Sequence, residues 1–417
     1  MGGAVSIGKA YGFDKAASTS VIPRVMPGTQ GKNKAPLQTP PNGLKRKLTM
    51  RHTVRLDTEA AQRVQTMVLD MSRTGRVELT STADHDEAGV PLGTLTKQNL
   101  VCLRHIPEMI LSMPHLTELN LRCNEISELP KEIGELVALQ VLVLSKNKLS
   151  EIPEKLTKLT KLRVLEITHN ELTALPRSLG NLGALEVLLV SNNRIITIPD
   201  SISHCQHLRI LNLYNNELTE LENNISFLVE LVELNASNNH ITKMPKELLL
   251  WKNMRRLFLQ VNQIASLPAL DALSNLEVLQ VQQNELETLP SMQDLVHLTK
   301  LDANNNGIIA LPADSISDMT ALVYLNLRNN KLTEIDPQLT QCLELEILDL
   351  GGNPIRSPIP NGLADLSKLR TLLLDGCNIT EDFETVVHAE EAGSRLVTGL
   401  IIELKACHQT SGNSTPL

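Results

Sequence analysis

The stretch LGALEVLLVSNNRIITIPDSISH, residues 182–204, decides the fold of this chain. It contains the pattern L-x-x-L-x-L-x-x-N, in which the aliphatic residues Leu185, Leu188 and Val190 are followed by Asn193. Alternation with a period of two predicts a short strand that turns one face inward. The step Ile198-Pro199 predicts that the chain then enters a short helical or 3₁₀ segment, because proline fixes φ and does not continue a strand.

The same pattern recurs through most of the sequence in a constant register. Its copies are 22 to 24 residues apart and end on Asn124, Asn147, Asn170, Asn193, Asn216, Asn239, Asn262, Asn284, Asn306, Asn330 and Asn353. A twelfth copy ends on Cys377, an accepted substitute for Asn. Twelve copies in register predict a solenoid of parallel strands with an aliphatic core and an internal ladder of Asn side chains.

The composition agrees with a repeated aliphatic core. Hydrophobic residues make up 42% of the chain, but aromatic residues only 2%. The sequence contains no phosphate-binding P-loop, no G-x-S-x-G, no H-E-x-x-H and no Rossmann glycine set, so we predict no enzymatic activity and no cofactor. Residues 84–87, Asp-His-Asp-Glu, match no metal-binding spacing, so we predict a solvated loop and no metal site.

Five segments follow from the position of the repeats. Residues 1–55 form a basic arm predicted to be disordered, and 56–115 form an N-terminal cap with a degenerate repeat and a polar insert. In this cap we predict a helix within 58–79 and a strand through Met67, Leu69 and Met71. Residues 116–377 carry the repeats, 378–407 form a C-terminal cap with a helix over 394–406, and 408–417 form a disordered tail.

Charge is distributed unevenly between the arm and the rest of the chain. The net charge is −8, yet residues 1–55 contain ten Lys/Arg and one acid. The arm begins with MGGAVS, which places Gly2 and Ser6 as in acceptors of N-myristoylation. An acyl chain and a basic arm together predict binding to an anionic membrane surface, whereas the acidic body argues against nucleic acid. Thr49 follows Lys45, Arg46 and Lys47 and is a candidate phosphorylation site that would weaken such binding.

The cysteines and the apolar runs predict the compartment. Six cysteines are scattered without a CxxC pair, no long apolar run occupies the first twenty residues, and no run reaches membrane-spanning length. We therefore predict a cytoplasmic protein, peripheral on the cytoplasmic face of a membrane.

Residues 116–377 resemble the intracellular leucine-rich-repeat proteins of the Ras-group type, whose hallmark is a 23-residue repeat with a Leu-Pro step. The resemblance implies an α/β solenoid: a curved horseshoe with parallel strands on its concave face, short helical or 3₁₀ segments on its convex face, and partner binding on the strands. Several such proteins engage Ras-like GTPases or phosphatase subunits. The arm contains no phosphatase-docking R-V-x-F motif, which argues against a phosphatase scaffold.

Outward strand positions on the concave face are the candidate partner-binding site. Three of the eight aromatic residues, Tyr214, Phe258 and Tyr324, fall at these positions, interleaved with Arg256 and Arg328. Tyr and Arg dominate the energetics of protein interfaces, so we predict that these five residues anchor a protein partner. A valine-rich stripe in the earlier repeats has two open interpretations, a second binding surface or simple strand propensity: Val141, Val143, Val164, Val187 and Leu189.

The leading hypothesis is therefore a non-catalytic scaffold or adaptor in intracellular signalling, tethered to a membrane through Gly2 and the arm. Its partner would be a protein, and components linked to small GTPases are the candidates. The alternative is a soluble structural or regulatory subunit of a larger assembly, of cytoskeletal, axonemal or phosphatase type.

Overall fold

A computed structural model describes residues 76–78, 103–246, 248–312, 315–379 and 401–403. The chain divides into two units, Met1–Arg55 and Leu56–Leu417, and all of the described residues belong to the second. Within these residues, fourteen three-residue strands pair in parallel, in chain order, to form one open sheet. They are β1 Arg76–Glu78, β2 Glu118–Asn120, β3 Val141–Val143, β4 Val164–Glu166, β5 Val187–Leu189, β6 Ile210–Asn212, β7 Glu233–Asn235, β8 Arg256–Phe258, β9 Val278–Gln280, β10 Lys300–Asp302, β11 Tyr324–Asn326, β12 Ile347–Asp349, β13 Thr371–Leu373 and β14 Ile401–Glu403.

Short helical segments connect many of the strands, as the Leu-Pro steps predict. Pro130, Pro153 and Pro199 directly precede 3₁₀ segments, because their fixed φ suits the entry to a turn and their missing N–H is not needed there. The segments are α1 Glu108–Leu111, η1 Lys131–Glu135, η2 Glu154–Lys158, η3 Leu179–Asn181, η4 Asp200–His204, η5 Asn223–Phe227, η6 Ile316–Asp318, η7 Pro337–Gln341 and η8 Asn361–Asp365.

The core is a continuous aliphatic column between the sheet and these segments. In the repeat that opened the sequence analysis, the inward positions Leu185, Leu188 and Val190 are completely buried, and so are Leu179 and Leu182 on the 3₁₀ side. Equivalent layers recur along the described repeats, so the solenoid fold predicted from the spacing of leucines is confirmed.

The predicted Asn ladder is also present. The side chain of Asn193 donates to the carbonyl oxygens of Ile167 at 2.9 Å and Val190 at 3.0 Å, and accepts from the N–H of Leu172 at 3.1 Å. The thiol of Cys377 donates to the carbonyl of Leu350 at 3.4 Å and so takes the same place in its own repeat. Each ladder residue therefore fastens its turn to the preceding repeat.

The chain turns sharply just before each ladder position. These residues adopt the left-handed conformation, with φ near 55° at His169, Asn192 and Asn215. Asn tolerates this region, and the side chains of Asn192 and Asn215 are joined by a hydrogen bond of 2.9 Å. Val261 holds the same conformation, with a φ of 58°, although a β-branched side chain disfavours it.

The strands described at the two ends were not predicted from the sequence. The predicted strand through residues 67–71 lies outside the described residues, and the first described strand is β1, in which Val77 pairs with Leu119 of β2. At the other end, Ile401–Glu403 form β14 beside β13 instead of belonging to the predicted helix over 394–406. Residues 396–404 fit both a helical period and a strand period, and two adjacent β-branched residues opposite an unpaired strand edge favour the strand. The remaining predicted cap, insert, arm and tail segments lie outside the described residues.

Candidate functional site on the strand face

The outward side chains of the sheet form the candidate site. We call this surface the strand face, defined by the residues two, four and six places after the first Leu of each motif. Parallel pairing without register shift aligns equivalent positions, so that Ile210, Glu233 and Arg256 are direct neighbours on β6, β7 and β8. Each position of the repeat therefore forms a row across the strand face.

The valine stripe is not an accessible binding surface as a whole. Val164 and Val187 are completely buried, and Val143 is nearly so. Val141, Val164 and Val187 are consecutive partners in one row, where β-branched side chains pack against each other across strands. The structure therefore favours the second interpretation of the stripe, that its valines stabilise the sheet.

Tyr214 is the most open aromatic side chain of the predicted site, with 40% of its surface exposed. It follows β6, and its backbone N–H donates to the side chain of Asn212 at 3.0 Å. Small residues, Ser191 and Ser237, occupy the same position in the two neighbouring repeats. The Tyr214 ring therefore lies between two small side chains and is accessible to a partner.

Arg256 and Phe258 lie on β8, at positions where alternate residues point outward. The guanidinium of Arg256 forms an ion pair of 2.6 Å with Glu233 on β7. Phe258 is half-buried, so part of its ring packs in the protein and part remains accessible to solvent. This pair offers an oriented cation beside an apolar surface.

Tyr324 on β11 lies within a polar network. The ammonium of Lys300 lies 4.9 Å from the centre of its ring, a cation–π contact, and its hydroxyl accepts from the side chain of Asn326 at 3.2 Å. Burial, followed by the charge of Asp302, raises the pKa of Tyr324. Tyr324 is therefore less available than Tyr214 and more fixed in its orientation.

Asp302 on β10 is almost completely buried on the same surface. Burial raises the pKa of this carboxyl, although the backbone and side chain of Asn304 donate to it and partly offset the effect. Because the protonated form is favoured in the folded chain, the contribution of Asp302 to stability is greatest below its unfolded pKa and is lost as pH rises through the folded pKa. Asp302 is thus a carboxylate whose charge costs stability at neutral pH.

Arg328 is held by acidic residues of two later repeats. Its guanidinium lies 2.7 Å from the carboxylate of Asp375, two repeats away, and 3.5 Å from that of Asp349. The Asp375 hydrogen bond is the main cause that raises the pKa of Arg328 above its ordinary value. The absence of a side chain at Gly351 leaves room for the Arg328 guanidinium to reach Asp375, since a Cβ at Gly351 would lie 2.4 Å from the guanidinium. Arg328 therefore serves the fold as well as the surface.

The five predicted residues share the strand face but do not form one cluster. They make three groups, near β6, on β8 and around β11, separated by intervening strands about 4.8 Å apart. Sequence reasoning did not place Lys300, Asp302, Asp349, Gly351 or Asp375 in the site. Their outward positions were visible in the repeat register, but the pattern does not reveal which side chains reach across to another repeat.

The other predicted sites lie outside the described residues: Gly2, Thr49 and the acidic loop 84–87. Within the described ranges, no group of His, Cys, Asp and Glu is arranged to hold a metal ion. No helix in the described part of the chain has the length and apolarity needed to cross a membrane.

Comparison with protein families identifies repeats along most of the described body. A model described as a leucine-rich repeat region matches residues 92–199, and a leucine rich repeat model matches residues 183–241, 296–355 and 320–379. Together these matches cover more than half of the chain.

Individual relatives are distant. A leucine-rich repeat serine/threonine-protein kinase 1 from Caenorhabditis elegans is 32% identical over 72 residues, which are 17% of this chain and only 3% of that protein. The functional domain of InlJ from Listeria monocytogenes has a TM-score of 0.61 at 23% identity and covers 80% of this chain and 63% of its own, which supports the fold alone. The plant peptide hormone receptor RGFR1, solved in complex with RGF2, has a TM-score of 0.56 at 30% identity, covering 66% of this chain and 50% of the receptor chain.

Proposed function

The chain belongs to the leucine-rich-repeat family, and from that premise we propose that it is a non-catalytic scaffold that binds a signalling protein on its strand face and is tethered to a membrane by its N-terminal arm. The partner is a protein, and a component linked to a small GTPase is the candidate suggested by the resemblance to Ras-group proteins.

The exposed ring of Tyr214 carries the binding part of this proposal. A large amphipathic side chain with 40% of its surface exposed is the type of residue that dominates interface energetics. Phe258 adds apolar surface two strands away, and Arg256 adds a cation that its partner Glu233 already orients. A preoriented side chain loses little conformational freedom on binding.

The tether has separate support in the sequence. Gly2 lies in an acylation motif, and ten basic residues follow it in the arm. A single acyl chain binds membranes only weakly, with an association constant of roughly 10⁴ M⁻¹, so a second contact is needed. Basic residues near an anionic leaflet supply about 1 kcal/mol each.

We expect a Tyr214→Ala/Phe258→Ala/Tyr324→Ala variant to lose its protein partner. If each anchor contributes roughly 2 kcal/mol, the affinity falls by at least about a hundredfold. Affinity capture from cells, followed by titration of the captured partner, measures the change. The matched control is Val137→Ala/Val296→Ala/Leu343→Ala, which removes exposed apolar side chains away from the strand face. Equal recovery of every partner by both variants would contradict partner binding on the strand face.

We expect Gly2→Ala to move the protein from the membrane to the soluble fraction, because the acyl acceptor is lost. Subcellular fractionation measures this change. Unchanged membrane recovery of Gly2→Ala would favour the alternative of a soluble subunit of a larger assembly.

A Thr49→Glu variant that retains Gly2 is expected to bind acidic vesicles more weakly than wild type, because the added charge opposes the basic arm. Thr49→Ala is its control, and vesicle sedimentation measures the effect.

A further inference from the structure

Two buried side-chain amides on the strand face lack hydrogen-bond donors. The side-chain oxygens of Gln260 and Gln282 are buried, and neither accepts a hydrogen bond within the described part of the chain. Both residues occupy the sixth position of the strand face, in the adjacent repeats of β8 and β9, whose strands lie about 4.8 Å apart. A buried acceptor without a donor costs stability, so we infer that the donor comes from another molecule.

The neighbouring side chains in the same row direct their donors elsewhere. Ser237 precedes the two glutamines, and its hydroxyl donates to the side chain of Asn235 at 2.6 Å. Asn304 follows them, and its side-chain amide donates to the carboxylate of Asp302 at 2.6 Å. The row therefore has a gap in its hydrogen bonding that spans two consecutive repeats.

A buried carboxylate lies one strand further along. Asp302 on β10 is only 7% exposed, and both hydrogen bonds from Asn304 end on the same carboxylate oxygen. Within the described ranges, no cation lies at ion-pair distance from Asp302. Lys300 is two residues away, but its ammonium lies over the ring of Tyr324, 4.9 Å from the ring centre. Asp302 is thus a buried anion without an ion-pair partner.

The charges of this part of the strand face leave a negative excess. From β7 to β13 the outward positions carry four carboxylates and three cations, a net charge of −1 that the ion pairs among them do not change. The carboxylates are Glu233, Asp302, Asp349 and Asp375, and the cations are Arg256, Lys300 and Arg328. The face therefore favours the approach of a cation.

The missing group must supply several N–H donors and a positive charge. A guanidinium carries N–H donors in a planar fork and is always charged, whereas an ammonium is a compact point charge. A guanidinium also stacks on aromatic rings. Phe258, which is half-buried, lies beside these acceptors, since it pairs with Gln280 and Gln280 pairs with Asp302.

We propose that the strand face at β8–β10 binds an arginine side chain of the protein partner. The guanidinium donates to the side-chain oxygens of Gln260 and Gln282 and to the carboxylate of Asp302, and it packs against Phe258. This inference rests on the proposed binding of a protein to the strand face and names the chemistry of one anchor of that partner. It also gives a role to three groups that cost the free chain stability.

The test is titration of the full chain with N-acetyl-L-arginine amide, followed by ligand-observed NMR. The matching lysine and citrulline amides are the comparisons, because citrulline keeps the shape of arginine without its charge. We expect the arginine amide to bind most tightly. Equal binding of the citrulline amide, or of the lysine amide, overturns the assignment to arginine.

We expect Asp302→Asn to weaken binding of the arginine amide about tenfold or more, because its charge-assisted hydrogen bonds become neutral ones. Gln260→Met/Gln282→Met is expected to weaken it about tenfold, because two acceptors are lost. Both variants should unfold at a temperature no lower than wild type, since each removes a buried polar group that costs stability. A purely structural role predicts the opposite, lower stability and unchanged binding.

Gln338→Met is the matched control. Gln338 lies in η7, away from the strand face, and its side-chain oxygen is also buried without a donor in the described part of the chain. We expect this variant to bind the arginine amide as wild type does. Binding by Asp302→Asn that equals wild type overturns the inference, and so does an equal loss of binding in Gln338→Met.

Partner capture separates this inference from the proposed function. If Asp302→Asn loses the arginine amide but Tyr214→Ala/Phe258→Ala/Tyr324→Ala keeps every partner, the arginine site is supported and partner binding on the strand face is contradicted. If the triple variant loses its partner while Asp302→Asn retains both the partner and the amide, the arginine site alone is contradicted.

Discussion

Replacement of Gly180 by alanine is expected to reduce the free energy of unfolding by roughly 3 kcal/mol. A Cβ at this position would lie 2.1 Å from the carbonyl oxygen of Ser201, in the 3₁₀ segment of the next repeat. That oxygen belongs to backbone, so the clash is relieved only if η3 and η4 move apart. Separation of these segments would also open the aliphatic layer beneath them, where Leu179 and Ile202 are buried.

Gly183→Ala is the matched control for this substitution. Gly183 lies three residues later, and a Cβ there meets no atom within 4 Å. We expect its effect to be within about 0.5 kcal/mol of zero, because the added methyl group enters open space. Thermal and urea unfolding followed by circular dichroism compare the two variants. Equal stability of the two would contradict close backbone packing between η3 and η4.

Asn193→Ala is expected to reduce the free energy of unfolding by about 2–4 kcal/mol. The loss arises mainly at the N–H of Leu172, which donates to the Asn193 side chain and is left buried without an acceptor. The carbonyls are less affected, since Asn216 also donates to Val190 and Asn170 also donates to Ile167. The free energy of unfolding therefore falls because one buried N–H donor loses its acceptor and a small cavity remains.

Asn275→Ala provides the comparison. Asn275 is exposed and donates a single hydrogen bond of 2.8 Å, to the carbonyl of Lys252, which water can replace. We expect a change of about 0.5 kcal/mol or less. Denaturant unfolding measures both variants. If Asn193→Ala is no more destabilising than Asn275→Ala, the ladder does not stabilise the solenoid as we describe.

The repeated part of the fold was predictable because each position has a single physical role that recurs. Leu188 and its equivalents are buried, Asn193 and its equivalents pair with backbone groups, and Pro199 precedes a 3₁₀ turn. The ends were not predictable to the same degree, because each occurs once. Residues 396–404 satisfy two periodicities, and the choice between them depends on the free edge of β13, which local sequence does not show.

The candidate site was predictable as a surface but not as a set of contacts. The register placed Tyr214, Phe258 and Tyr324 on one face, yet it did not show that Val164 and Val187 are buried there. Nor did it show that Arg328 passes over Gly351 to reach Asp375. Contacts of this kind depend on the length and orientation of side chains from three repeats, which a positional pattern does not contain.

The bond between Arg328 and Asp375 has a consequence for how the array opens. The Asn ladder connects each repeat to its neighbour, which makes unfolding a stepwise process that advances one repeat at a time. The ion pair between Arg328 and Asp375 adds a coupling that skips a repeat, because the repeat of Gly351 is enclosed between its two partners. We therefore expect hydrogen exchange to show the repeats of β11, β12 and β13 opening together more often than repeats joined by the ladder alone.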